Sequence, residues 1–273
     1  MKIAIQGIQG CFHQIAANNY FGYHINVLPC LSFDALIDQV LNNEDCDLGI
    51  MAIENSIAGS ILQNYKLLQK SGLKIIGETY LKIEQHLIVP KGMKLTEIKE
   101  VHSHPMAIYQ CDEFLKSIPN VKLVEMEDTA LSVKELELDV HLKKAAIGSR
   151  LSSEIYKHEI LREAIQTNKK NYTRFLVISK EATPELEKTN KASIYLQAKH
   201  EKGSLAKVLA LIANVDINLS KLQSYPILGS DWEYYFHLDL EYESYADFKK
   251  MIVAITPHTS SIKILGNYKA GKR

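Results

Sequence analysis

Apolar and polar positions follow two different rhythms along this chain. Over the first two-thirds, short apolar runs of strand character are separated by stretches with helical spacing. Lys2–Gln6 is a strand-like run followed by Gly7 and Gly10, and the stretch around Phe12–Tyr20 reads as helix. Between Ser32 and Leu41, the apolar residues Phe33, Leu36, Ile37, Val40 and Leu41 share a helical face that Ser32 opens as a cap. Asp47–Ile53 predicts a strand and Ser60–Leu68 a helix, and Ile75–Leu81 and His86–Pro90 predict two more strands. Pro105–Ser117 predicts a helix with Pro in its first turn, where the missing N–H would have no partner anyway. Leu123–Met126, Thr129–Glu137 and Lys144–Ile147 continue as strand, helix and strand. Such alternation implies an α/β fold with largely parallel sheets, whose ligands sit in loops at the strand ends.

The rhythm changes after Lys180–Lys191, a stretch rich in Glu, Lys and Thr with Pro184 that reads as a linker. Ser193–Ala198 predicts a strand, Gly203-Ser204 opens a helix over Leu205–Ala213, and Asp216–Leu222 is a second strand. Trp232–Leu240 alternates strictly. Trp232, Tyr234, Phe236, Leu238 and Leu240 share one face, with Glu233, Tyr235, His237, Asp239 and Glu241 on the other. A helix over Tyr245–Ile255 and a strand over Ile262–Tyr268 complete the order βαββαβ, a ferredoxin-like module that serves either ligand binding or dimerisation.

Composition narrows the ligand. The chain has 273 residues, 46% hydrophobic and 23% charged, as in an ordinary globular protein. Its 32 basic residues balance 32 acidic ones, so no net field recruits nucleic acid or an anionic membrane, and a small molecule recognised locally is expected. No run approaches the roughly 18 apolar residues of a membrane span, and no signal-peptide pattern opens the chain. Cys11, Cys30, Cys46 and Cys111 lack CxxC spacing, which fits a reducing cytoplasm. His102 and His104 stand two apart with no Cys or His cluster beside them, so no metal site is expected.

Six loops carry the candidate chemistry: Gly7–His13, Ile53–Ser60, His102–Pro105, Asp128–Ala130, Ile147–Arg150 and Asn171–Phe175. Each offers small polar groups at a turn or helix start, where unpaired backbone N–H groups favour anions. Taken singly, each is also what a helix cap looks like. Asn171-Tyr172-Thr173-Arg174-Phe175 adds a hydroxyl, a guanidinium, an amide and two rings at the mouth of the strand begun by Leu176-Val177-Ile178.

The ordered segments Gly7–Ala17, Glu54-Asn55-Ser56 with Gly59, Ser103-His104-Pro105 to Gln110-Cys111, Asp128-Thr129-Ala130, Ala145–Ser149 and Asn171–Phe175 together resemble the prephenate dehydratase family. The resemblance covers essentially the whole chain. It implies a catalytic domain over 1–180 with two lobes like the type II periplasmic-binding-protein fold, a linker over 181–191, and a ferredoxin-like ACT regulatory domain over 192–273. It also implies conversion of prephenate to phenylpyruvate, carbon dioxide and water on the way to phenylalanine, without a metal or organic cofactor. In the family, the Thr of Thr-Arg-Phe is tied to activity; here that is Thr173. Asn55 and Ser56 are the first candidates for polar substrate contacts, followed by Thr129, Ser149 and the backbone near Gly10, with Phe175 packing beside the ring. Arg174 is left with two roles, holding the pyruvyl carboxylate or bracing the loop, because strand alternation puts it opposite Thr173 and Phe175. A charge on the departing carboxylate would stabilise the ground state.

For the regulatory module, the resemblance implies phenylalanine as effector at Gly203, Ser204, Leu205, Asn218 and Ser224, and assembly as dimers or tetramers. It also implies a monofunctional enzyme, since no segment has the size of a fused chorismate mutase. Three departures from the family pattern stand out. Ala52 replaces a common proline, Cys11 and His13 replace hydroxyl residues, and the usual Glu-Ser-Arg-Pro reads Gln223-Ser224-Tyr225-Pro226. Cys11 is either a thiol of lowered pKa near a helix start or a small buried side chain. The competing reading of the whole chain is a cytoplasmic sensor of small carboxylates or amino acids that uses the same cleft without turnover.

Overall fold

The computed structural model describes residues 1–46, 48–138, 140–182, 185–199, 201–227 and 233–272. Two compact units result, residues 1–64 with 79–175 and residues 65–78 with 176–273.

In chain order, the early elements are β1 (Lys2–Gln6), α1 (Phe12–Phe21), β2 (Asn26–Cys30), α2 (Phe33–Asn42), β3 (Leu48–Asn55), β4 (Gly59–Ser60), α3 (Leu62–Ser71) and β5 (Lys74–Lys82). They are followed by β6 (His86–Val89), β7 (Glu100–Ser103), α4 (Pro105–Gln110), α5 (Asp112–Lys116), β8 (Lys122–Glu125) and α6 (Thr129–Lys134). Then come β9 (Lys144–Gly148), α7 (Arg150–Tyr156), β10 (Glu159–Arg162) and β11 (Tyr172–Ser179). One sheet has the order β2-β1-β3-β11-β5, with β4 paired to β3, and a second has the order β10-β6-β9-β7-β8.

The fold is mixed α/β, with parallel pairs at β1/β2, β1/β3, β7/β8 and β7/β9. The second sheet is less parallel than the alternation implies, because β6 runs antiparallel to both β9 and β10. Apolar residues of β1, β3 and α2, among them Ile3, Ile5, Leu36, Val40, Ile50 and Ile53, are fully buried. Leu87, Val89, Val101, Ala107, Ala145 and Ile147 form the core of the second sheet.

Several predicted boundaries move for identifiable reasons. Ser32 does cap α2, its Oγ accepting from Ala35 N at 3.1 Å. The expected long helix after Pro105 is two short ones, broken at Cys111, whose φ of −106° and ψ of 14° are non-helical. Helix α3 starts later than expected because Gly59-Ser60 is spent pairing with Glu54 and Asn55. The strand expected from Asp47 begins, in the described residues, at Leu48; Asp47 itself lies outside them.

In the second unit, β12 (Lys191–Ala198), α8 (Ser204–Ala213), β13 (Asn218–Pro226), β14 (Tyr234–Glu241), α9 (Tyr245–Ile255) and β15 (Thr259–Tyr268) follow the order βαββαβ. Their sheet has the order β13-β14-β12-β15, antiparallel at every pair. Ala192, Ile194, Leu196, Leu238 and Leu240 pack with Val208 and Ile212 of α8 and Phe248, Met251 and Ile255 of α9. Trp232, read as part of this alternation, and Pro184, read as part of the linker, lie outside the described residues.

The other face of β14 carries His237 and Asp239, as alternation requires, but both are fully buried. Residues 65–78 of the same unit lie on it. Tyr65 meets His237 edge to face at 4.6 Å, and Tyr195 donates to Tyr65 O at 2.9 Å. Lys191 Nζ reaches Glu78 Oε1 at 3.0 Å and Glu241 Oε1 at 3.4 Å. No helix among the described residues is long and apolar enough to cross a membrane.

Candidate active site

The polar end of β11 is built around one amide. Asn55, at the end of β3, accepts at Oδ1 from the backbone N–H of Ile57 and of Ala58, each at 2.9 Å. Two backbone donors on one oxygen fix which way the amide points, leaving no ambiguity between its O and N atoms. Nδ2 therefore donates, and it reaches Asn171 Oδ1 at 2.8 Å and Thr173 Oγ1 at 3.0 Å. Asn171 passes the chain on, its Nδ2 donating to Gln110 Oε1 at 2.9 Å. The Thr173 oxygen is thus an acceptor within the protein, and its hydroxyl hydrogen is spent on no described group.

Thr173 and Phe175 face a cavity of about 390 Å³ in the first unit, with Asn55 and Thr129 also in its wall. Arg174, on the opposite face of β11 and 5% exposed, is not in that wall. Among the lining residues there is no Lys or Arg; the charged side chains are Glu127 and Asp128, and the rest of the polar wall is neutral. Helix α1 begins at this wall with Phe12 and His13, and its N-cap, Cys11, makes no side-chain capping bond. A helix start of that kind supplies N–H donors and partial positive charge to an anion.

The other expected contacts are used within the protein. Ser149 caps α7, accepting from Ser152 N at 3.0 Å, and donates to Gly10 O at 2.5 Å. Gly10 has φ +89°, and a Cβ there would meet the Ser152 backbone at 2.7 Å, so the close approach of these two loops requires glycine. Ser56 Oγ donates to Lys170 O at 3.1 Å and accepts from Tyr172 N at 2.9 Å, tying β3 to the start of β11. Ser56, Ser149 and Gly10 are not in the cavity wall. Cys11 is the small buried side chain of the two readings: burial, with Asp128 nearby, pushes its thiol up to about 12.

Gln6 and Gln85 line the cavity without having been singled out, and His13, His104, Gln110 and Asp128 stand in the candidate loops or matched segments without having been given a role of their own. Gln110 follows Met106 by four positions on α4, so helical spacing from His104-Pro105 was a usable signal. Gln85 lies in the polar interruption between the predicted strands Ile75–Leu81 and His86–Pro90 and gave no signal of its own. Burial lowers His104 below the usual imidazole range and raises the Asp128 carboxyl above its usual range.

In the second unit, Ser204 and Leu205 line a cavity of about 440 Å³ together with Gln197, Glu233 and Phe236. Gly203, at φ +80°, supplies the left-handed turn before α8. Asn218 donates to Glu241 Oε2 at 3.2 Å, and Ser224 pairs with Phe236 across β13 and β14; neither lines that cavity.

A buried hydroxyl whose proton is spent on no described group, a polar wall without lining Lys or Arg, and a helix start without a side-chain cap define an α/β protein with a candidate site for a small polar ligand. Comparisons with known proteins make this specific. The family model for prephenate dehydratase matches residues 3–183. The bifunctional chorismate mutase/prephenate dehydratase of Enterobacter agglomerans is 31% identical over 272 residues, spanning 98% of this chain and 70% of that protein. The crystal structure of prephenate dehydratase from Arthrobacter aurescens in complex with L-Phe matches with a TM-score of 0.88 at 25% identity, over 98% of this chain and 90% of that one. GqqA, described as a novel type of quorum quenching acylase, matches with a TM-score of 0.87 at 26% identity, over 99% of this chain and 98% of that one. The chain belongs to the prephenate dehydratase family, enzymes that dehydrate prephenate in phenylalanine biosynthesis.

Proposed function

We propose that the 390 Å³ cavity is where prephenate is aromatised, with Thr173 as proton donor. The observation that carries this is the Asn55 Nδ2 to Thr173 Oγ1 bond, which leaves the hydroxyl hydrogen for the substrate. In the reaction, the C–C bond to the ring carboxylate breaks and releases carbon dioxide. Its electron pair enters the ring, and the C–O bond to the 4-hydroxyl breaks with its pair. Hydroxide is a poor leaving group, but its conjugate acid is water, of pKa about 15.7, so a weak acid suffices if it is well placed. Thr173 gives its proton as the C–O bond lengthens and regains one from solvent. Aromatisation supplies the driving force, and Phe175 flanks the ring.

The absence of Lys and Arg from the described cavity wall suits this chemistry. A cation on the departing carboxylate would hold the ground state and slow its loss. Arg174, on the far side of β11, braces the strand. The test is to add prephenate to the purified protein at neutral pH and follow phenylpyruvate by its ultraviolet absorbance in alkali. Product formed no faster than without protein would overturn the assignment and favour a cleft that binds without turnover.

Residues 1–180 form the two-lobed catalytic domain in this reading, and 192–273 an ACT domain through which phenylalanine inhibits and subunits pair as dimers or tetramers. The cavity at Ser204 and Leu205 supports an effector site, and the solved relative carries L-Phe. Gln223 and Tyr225 stand where the family has a Glu and an Arg, so the charged contribution to effector binding is missing. We expect 1 mM phenylalanine to inhibit this chain weakly. Activity and oligomeric state both unchanged at that concentration would reduce the module to a structural role.

A further inference from the structure

Two departures from the family pattern, Ala52 and His13, are bonded to each other. The backbone N–H of Ala52 donates to His13 Nε2 at 3.2 Å, a bond that a proline at position 52 could not make. An imidazole nitrogen that accepts from an amide carries no proton, so the neutral ring bears its hydrogen on Nδ1. Burial lowers the pKa of His13 to about 3, so the ring is neutral at physiological pH. The ring is gripped edge to face by Phe175 at 5.0 Å and tilted against Phe33 at 5.6 Å. His13 is 8% exposed and lines the cavity. Its Nδ1 has no hydrogen-bond partner among the described residues, yet it is not sealed in as Gln85 Oε1 is.

We infer that His13 Nδ1–H is a substrate-binding donor that holds the retained pyruvyl carboxylate of prephenate, with Ala52 N–H setting its tautomer. The inference rests on the cavity being the dehydratase site. It answers how a wall without lining Lys or Arg holds the anionic end that does not react. A neutral donor grips the pyruvyl group equally before and during the reaction, so its contribution appears in KM rather than kcat. Phe175 lies between the two roles, two residues from Thr173 on the same face of β11 and in ring contact with His13.

The test pairs steady-state kinetics of variants with 15N NMR of the wild-type protein. His13→Gln places its amide at the level of Nε2, preserving the bond to Ala52 but removing the donor at Nδ1. KM for prephenate should rise about tenfold or more, the scale of a lost hydrogen bond to a charged group, with kcat little changed. His13→Asn carries an amide N–H at the level of Nδ1 and should recover most of that loss. A His13→Gln variant with KM unchanged, or with the loss in kcat alone, overturns the assignment. NMR needs no variant: His13 should show a protonated Nδ1 and a bare Nε2, and phenylpyruvate, which keeps the pyruvyl group, should shift the Nδ1–H resonance. A protonated Nε2, or no shift with saturating phenylpyruvate, also overturns it, even if the variants fail to fold. A wild-type protein that does not turn over prephenate but still shows the shift would defeat the dehydratase reading while leaving His13 as a carboxylate donor.

Discussion

Thr173→Val should lower kcat for prephenate about 10²- to 10³-fold, equivalent to about 2.7–4 kcal/mol, the loss seen when one oriented donor to a developing oxyanion is removed. Valine keeps the β-branch but removes both the proton donor and the acceptor of the Asn55 Nδ2 bond, so the loss is read against a variant that retains both. Thr173→Ser retains an O–H within reach of Asn55 Nδ2, which at 3.0 Å orients the native oxygen, and should keep most of the rate. KM should change little in either variant, because the donated bond strengthens only as the C–O bond breaks. A valine variant that keeps more than about a tenth of the wild-type rate would remove Thr173 from the proton path.

The second large effect lies in the other unit and concerns stability. Lys191 and Glu78 pair at 3.0 Å with their side chains 2% and 1% exposed, and Glu78 Oε1 also accepts from Gly271 N at 3.0 Å. Removing one partner of a buried pair strands the other charge in a poorly solvated place. Glu78→Ala is therefore expected to cost about 3–5 kcal/mol, read as a lower urea midpoint. Among the described residues Lys191 would keep only Glu241 at 3.4 Å, a carboxylate that is about a third exposed and so better screened. Replacing both partners, as in Glu78→Leu with Lys191→Met, should recover most of the loss, since no buried charge is then left alone. A midpoint for Glu78→Ala within the error of wild type would show that water or another cation already compensates the site.

The regular elements were legible where periodicity and capping agreed, as in α2 with Ser32 and in the βαββαβ order of the C-terminal module. The strands β2, β7 and β10 and the helix α7 were not anticipated, for physical reasons. β2 is an edge strand containing Pro29, and proline in a short run argues against a strand unless it lies at an edge. β7 holds a single apolar residue, Val101 between Glu100 and His102, so no apolar run marks it. At the cavity, Asn55, Thr129, Thr173 and Phe175 were legible from their loops. Sequence could not show that Ser56 and Ser149 spend their hydroxyls on backbone, because both look alike as caps and as ligands. His13 was visible as the end of a candidate loop and as a departure from pattern, and its meaning depends on Ala52, 39 residues away. The burial of His237 and Asp239 was equally illegible: strict alternation predicts a wet face, and only the fold brings residues 65–78 over it.

The amide that orients Thr173 has one further consequence. Asn55 cannot ionise, a threonine hydroxyl does not titrate in water, and the imidazole beside Phe175 gains its proton only near pH 3. No member of that trio stores protons between turnovers, so each one delivered to a leaving hydroxyl is drawn from bulk water. Catalysis of this kind has no acid limb or base limb of its own around neutrality. The plot of kcat against pH should run level on the alkaline side, and any fall toward acid belongs to Asp128, the carboxyl of the same wall that burial raises above its usual range. Carbon flow through this step would then follow substrate and effector rather than the acidity of the surroundings.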